Sequence, residues 1–237
     1  MSASPNTTII GTNNRDKLKG GDGNDFIKAK GGDDVLRSSR GDDTLIGGRG
    51  NDEFYWEYRT DLNDIQGNDY ANGNSGDDTF SWINGAFIIE CGKGNDWVSS
   101  DAYSSTLISG STINGGSGKD SLNGGGNDDL IHGGKGVDFI SGGKGNDTLF
   151  GGSQRDVISG GEGGDIFVAS KGPDEIYDFN PREDMISGFN SPTIKRSRGV
   201  WTYIRETIQG EKHAMWLYRL SDDDFQYLEN NLDLILI

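Results

Sequence analysis

Residues 115–168 repeat every nine positions, and that period constrains the fold more than any single residue does. Six units follow one another without a break: GGSGKDSLN, GGGNDDLIH, GGKGVDFIS, GGKGNDTLF, GGSQRDVIS and GGEGGDIFV. Glycines come first, an aspartate is sixth and an apolar residue is eighth. The sixth places are Asp120, Asp129, Asp138, Asp147, Asp156 and Asp165, and the eighth are Leu122, Ile131, Ile140, Leu149, Ile158 and Phe167. A flexible Gly/Asp-rich linker has no use for an apolar residue at fixed spacing, so the pattern calls for stacked turns.

The residue types set the chemistry of one unit. Its glycines permit positive φ and a tight turn, leaving carbonyl oxygens free to converge. Converging carbonyls and a carboxylate suit a hard cation, and calcium takes six to eight such oxygens. The last three residues, such as Thr148-Leu149-Phe150, alternate about one inward side chain and make a short strand. Two loops and two strands return the chain to its start after eighteen residues, so alternate units stack. Asp120, Asp138 and Asp156 then share one column of loops and Asp129, Asp147 and Asp165 the other, with cations between successive loops.

The pattern GGxGxDxUx, with U apolar, resembles the nonapeptide of the RTX, or haemolysin-type, calcium-binding proteins. That resemblance implies an all-β fold, a right-handed parallel β-roll. An earlier block fits the same frame: GTNNRDKLK from Gly11, then GGDGNDFIK, AKGGDDVLR, SSRGDDTLI and GGRGNDEFY. The sixth place carries over to Asp16, Asp25, Asp34, Asp43 and Asp52, with Asp25 expected to face Asp43 and Asp34 to face Asp52. Ala29-Lys30 and Ser38-Ser39 stand where paired glycines belong. GNSGDDTFS and CGKGNDWVS add Asp78 and Asp96; between them WINGAFIIE has Phe87 where an aspartate should be. The roll is expected to continue there with cation loops on one side and a Trp82/Phe87 turn on the other. The implied metal ligands are Asp25, Asp34, Asp43, Asp52, Asp78, Asp96, Asp120, Asp129, Asp138, Asp147, Asp156 and Asp165. The implied main-chain ligands are Gly21, Gly23, Gly48, Gly50, Gly116, Gly118, Gly134, Gly136, Gly143, Gly145, Gly152, Gly161 and Gly163.

Two stretches lose the register, residues 56–72, where WEYRTDLND keeps only Asp61, and residues 100–114. Trp56, Tyr58, Trp82, Trp97 and Tyr103 gather around them, either as core filling or as a ligand surface. After Val168, Asp174 and Ile176 hold the sixth and eighth places, and the run to Ile186 resembles the segment closing the roll of serralysin-type proteins. VWTYIR and HAMWLYR around Gln209-Gly210 read as a hairpin, and Ser221 before three aspartates as the cap of a short helix. The final Asn231 to Ile237 is similar to a type I export signal, or is a last strand.

The formal charge is −16 over 237 residues, and 36 of the 39 glycines fall in residues 1–186. Such acidity argues against nucleic-acid and anionic-membrane partners. Without cations the carboxylates repel one another, so the chain should fold on calcium binding. One cysteine, Cys91, excludes a disulfide framework. No Sec-type signal or membrane-spanning run is visible, and no GxSxG, HExxH or Walker motif marks a catalytic site. His132 and His213 stand far apart. The expected organisation is a lead (1–10), a roll (11–186; strong repeats 20–55, 73–99 and 115–177) and a C-terminal β cap with the export signal (187–237). The expected function is a secreted, extracellular or surface-associated structural or adhesive calcium protein, met by a type I exporter and a cell-surface or glycan partner, with no catalytic residues. The alternative is a calcium-stabilised module of an enzyme or glycan-binding protein that uses the aromatic middle.

Overall fold

A computed structural model describes residues 6–56, 67–83, 86–100, 110–188, 193–196, 201–208, 211–218 and 220–231. Odd-numbered units build one sheet and even-numbered units the other, as an eighteen-residue turn requires. Among the described residues the first sheet has ten strands, from Thr8–Ile10 to Met185–Ser187, all parallel. The second has twelve, from Lys17–Lys19 through Gly172–Ile176 and on into the C-terminal hairpin.

The register shows why the eighth position is apolar. In the first sheet Ile113 pairs with Ile131, Ile131 with Leu149 and Leu149 with Phe167. In the second, Leu122 pairs with Ile140 and Ile140 with Ile158. These side chains point between the sheets and all are at most 3% exposed. Each buried Leu or Ile contributes roughly 1.5–3 kcal/mol, but only beside a neighbouring rung, so the stack is cooperative.

The two irregular stretches lengthen turns without breaking the stack. Asp43 and Asp69, and likewise Asp52 and Asp78, are separated by 26 residues rather than 18; Asp96 and Asp120 by 24. Strands Asn68–Ser75 and Ala86–Lys93 pair in register beyond the first lengthened turn. Of the Trp82/Phe87 turn expected here, residues 84–85 lie outside the described residues. Phe87 lies in a strand, buried, with its ring edge-on to Trp56 at 4.9 Å. Trp56 is also buried, so these two aromatics fill core. Tyr58, Asp61, Tyr103 and the Trp82 side chain lie outside the described residues.

The C-terminal cap continues the second sheet. Trp201–Ile208 and Glu211–Tyr218 form the expected antiparallel hairpin, and the latter strand pairs in parallel with Gly172–Ile176. A further strand, Thr193–Arg196, borders it. The hairpin buries Ile204, Met215 and Leu217 and shields the last rung of this sheet. The helix Asp222–Asn230 starts at Ser221, whose hydroxyl accepts from the Asp224 amide at 3.0 Å. Residues 232–237, expected as a final strand or signal, lie outside the described residues.

Candidate metal centre

Two columns of loops flank the core, and the sixth-place aspartates run down each as a hydrogen-bonded ladder. In the second-sheet column the amides of Asp16, Asp34, Asp52, Asp78, Asp96, Asp120, Asp138 and Asp156 each donate to Oδ1 of the aspartate one turn on, ending at Asp174, over 2.7–3.2 Å. In the first-sheet column the donors Thr7, Asp25 and Asp43 lead to Asp69. After Phe87 and Ser111 the series resumes from Asp129 through Asp147 and Asp165 to Asp184, over 2.6–3.0 Å in all.

The expected facing pairs, Asp25 with Asp43 and Asp34 with Asp52, are thus in contact at 2.7 and 2.9 Å. Asp69 and Asp184 belong to the ladder although the nine-residue frame does not reach them. For Asp69 a signal was present: Gly67-Asn68-Asp69 repeats Gly50-Asn51-Asp52, with Ala71 in the apolar place. For Asp184 the frame slips by one residue, since it lies 19 rather than 18 residues from Asp165. A second, exposed ladder of fifth-place residues runs with opposite polarity. Asn51 donates its amide to Asp33, Asp77 to Asn51 and Asn95 to Asp77, at 2.7–2.9 Å. The paired carboxylates therefore split in role: Asp33 and Asp42 face outward while Asp34 and Asp43 are buried.

The other oxygen of each buried carboxylate decides what the columns can hold. Oδ2 of Asp34, Asp52, Asp69, Asp78, Asp96, Asp120, Asp129, Asp138, Asp147, Asp156 and Asp165 is buried and has no hydrogen-bond partner. At the ladder ends the protein itself supplies donors: the Thr12 amide and hydroxyl to Asp16, the Gly21 amide to Asp25, the Ser170 hydroxyl to Asp174 and the Asn180 amide to Asp184. The interior aspartates just named lack them, and an uncompensated buried charge costs on the order of several kcal/mol. Burial accordingly pushes these carboxyls up, reinforced by neighbouring aspartates: to about 8 for Asp69, Asp78 and Asp129, and to about 7 for Asp52, Asp96, Asp138 and Asp147. Near neutral pH these sites call for a cation or a proton.

The glycines bring loop against loop. A Cβ on Gly136, where φ is +138°, would lie 1.5 Å from the Gly118 carbonyl oxygen of the loop below. At second place Gly143 similarly meets the Gly125 carbonyl oxygen at 2.2 Å. Successive loops thus press carbonyl oxygens and carboxylates into the same narrow gap. Among the described residues no three His, Cys, Asp or Glu side chains converge on one point, so main-chain oxygens must complete any coordination shell. Carboxylate and carbonyl oxygens without sulfur or imidazole form the donor set calcium prefers.

The model of the RTX calcium-binding nonapeptide repeat matches residues 6–36, 29–55, 66–81, 109–140, 132–167 and 141–176, more than half of the chain. The chain belongs to this RTX family. Calcium is its cofactor, and the orphaned Oδ2 atoms fit it. Two solved structures are similar to parts or all of the RTX chain. The AlgE6R3 subunit of the Azotobacter vinelandii mannuronan C5-epimerase, in a solution structure, is 28% identical over 46% of this chain and 81% of its own, with a TM-score of 0.34. The extracellular lipase LipA of Serratia marcescens, in a crystal structure, is 16% identical over 100% of this chain and 40% of its own, with a TM-score of 0.36. No curated protein matches the chain.

Away from the RTX loops, the outer face of the second sheet carries a groove lined by Trp97, Phe139 and Tyr177 beside Ser99, Asn123, Ser141 and Ser159. The three rings are 45%, 43% and 42% exposed. Sequence reasoning singled out Trp97 but not the other two, which stand on outward positions of regular repeats. Cys91 is buried at a first-glycine place; burial, then nearby Asp96, raises its thiol well above the ordinary value, which keeps it protonated and unreactive. His132 stacks on Phe150 at 4.1 Å on the other sheet.

Proposed function

We propose that this RTX chain is a secreted structural or adhesive module, folded outside the cell by calcium. The supporting observation is the run of buried carboxylate oxygens that have no protein donor. Such columns are stable only where calcium is plentiful, and the millimolar extracellular level meets that need as the cytosol does not. The ligands in this reading are the unpartnered aspartates together with carbonyls of the loop glycines from Gly21 to Gly163 named above. An unfolded apo chain also suits passage through a type I exporter, with residues 187–237 as cap and signal. No helix among the described residues is long and apolar enough to cross a membrane.

The adhesive part of the reading rests on the Trp97, Phe139 and Tyr177 groove, since exposed aromatics beside hydroxyls and an amide suit the flat face of a saccharide. The half-saturation concentration of calcium-induced folding tests the extracellular assignment. A midpoint of about 0.1–1 mM supports it. A midpoint below about 1 μM, typical of intracellular sensors, contradicts it.

A further inference from the structure

One interior rung departs from the rest. Asp43 is buried in the first-sheet column between Asp25 and Asp69, yet its Oδ2 has a partner, the hydroxyl of Ser38. Ser38 is wholly buried and stands at the first place of SSRGDD, where the neighbouring unit Gly47-Gly48-Arg49-Gly50-Asn51-Asp52 has glycine and leaves Asp52 Oδ2 unpartnered. Two more protein contacts fill the same gap between loops 20–25 and 38–43. The Ser39 hydroxyl donates to Asp22 at 3.1 Å, and the Arg40 guanidinium lies 3.8 Å from the other Asp22 oxygen. On the far side of that gap Asp25 Oδ2 accepts the Gly21 amide at 2.7 Å.

We propose that this gap is a metal-free rung, in which the hydroxyl of Ser38 and the charge of Arg40 do the work that calcium does in the other interior gaps. It rests on the reading that calcium sits at the unpartnered aspartates. The physical argument is one of saturation. A cation is drawn to carboxylate oxygens with no other donor, and here both aspartates have theirs. In the interior loops the first-place residue selects between the two states: glycine leaves the oxygen bare, as at Asp52, while serine reaches it with a proton. The N-terminal turns would therefore hold ions in the second-sheet column alone at this level, and this part of the stack would depend less on calcium than residues 115–168.

The test counts bound calcium in the full chain by native mass spectrometry at saturating calcium, with far-UV circular dichroism confirming the fold of each variant. Ser38→Gly with Ser39→Gly converts SSRGDD to GGRGDD, which differs from the GGRGND at 47–52 only in the exposed fifth-place residue, and is expected to bind one more ion than the parent. An unchanged count in the folded double variant overturns the proposal. Asp43→Asn provides a second measurement, because an amide can keep both hydrogen bonds of a metal-free rung. It should leave the count unchanged, whereas Asp147→Asn should lower it by one. Loss of an ion from Asp43→Asn overturns the proposal independently of the first variant. A parent chain that binds no calcium removes the shared premise and the proposal with it.

Discussion

A side-chain carbon on Gly142 would lie 2.2 Å from Oδ2 of Asp147. The same relation links Gly115 to Asp120, Gly124 to Asp129 and Gly160 to Asp165, at 2.2–2.5 Å. The first glycine of each unit thus supplies no unusual dihedral but keeps clear the space around its own carboxylate. Gly142→Ala should cost the calcium-loaded fold roughly 1–3 kcal/mol through overpacking, and raise the calcium midpoint with it. Gly21 has nothing within 4 Å of its would-be Cβ and no positive φ, so Gly21→Ala should be neutral to slightly stabilising. Chemical denaturation of the two variants in saturating calcium checks the contrast.

The ladder predicts unequal costs for removing carboxylates. Asp138→Asn keeps an oxygen for the Asp120 amide but removes the charge beside an unpartnered oxygen. It should weaken calcium-dependent stability by about 1.5–3 kcal/mol, the range for a bond to a charged group. Asp33→Asn, on the exposed ladder, should stay within about 0.5 kcal/mol. Calcium titration followed by circular dichroism would separate them, and equal shifts would refute the division into buried and exposed ladders.

In chelator, acid should favour the fold. The interior carboxyls are raised from an ordinary 3.8 to about 7 or 8, by burial first and then by neighbouring aspartates. A group whose folded value is raised adds stability that is full below about pH 4 and is lost as pH rises through 7–8. Lowering the pH from 8.5 to 5.5 without calcium should therefore increase the β signal. Saturating calcium should reverse the trend, because the ion requires deprotonated carboxylates. A pH-independent apo spectrum would contradict this balance.

The two tryptophans near the lengthened turns should respond oppositely. Trp56 is 2% exposed and packs edge-on to Phe87, so Trp56→Ala should cost about 3–5 kcal/mol. Trp97 stands 45% exposed on the second-sheet groove, and its replacement should change stability by less than about 0.5 kcal/mol. Thermal unfolding in calcium distinguishes the two.

The repeat made much of this legible, because a nine-residue period fixes loop, strand and facing partner together. The Asp25–Asp43 and Asp34–Asp52 pairs followed from counting eighteen residues, as did the inward Ile and Leu rungs. Counting failed where a turn lengthened. Asp69 is placed by strand pairing across a 26-residue turn, and spacing alone carries no trace of that. Phe87 looked like a turn residue because aspartate was missing, but a large apolar side chain fits the same inward place once the cation is dispensed with. The Ser38 contact was illegible for another reason: it depends on a side-chain proton reaching one oxygen, which composition and period do not encode.

The most direct test of the central claim, that calcium builds this roll, is far-UV circular dichroism of the chelated chain during calcium titration at pH 7.5, with magnesium in parallel. A cooperative rise in β signal with calcium, and none with magnesium at equal concentration, is the predicted result. Full β signal in chelator, unchanged on adding calcium, would mean that the stack holds without its ions and would contradict the account.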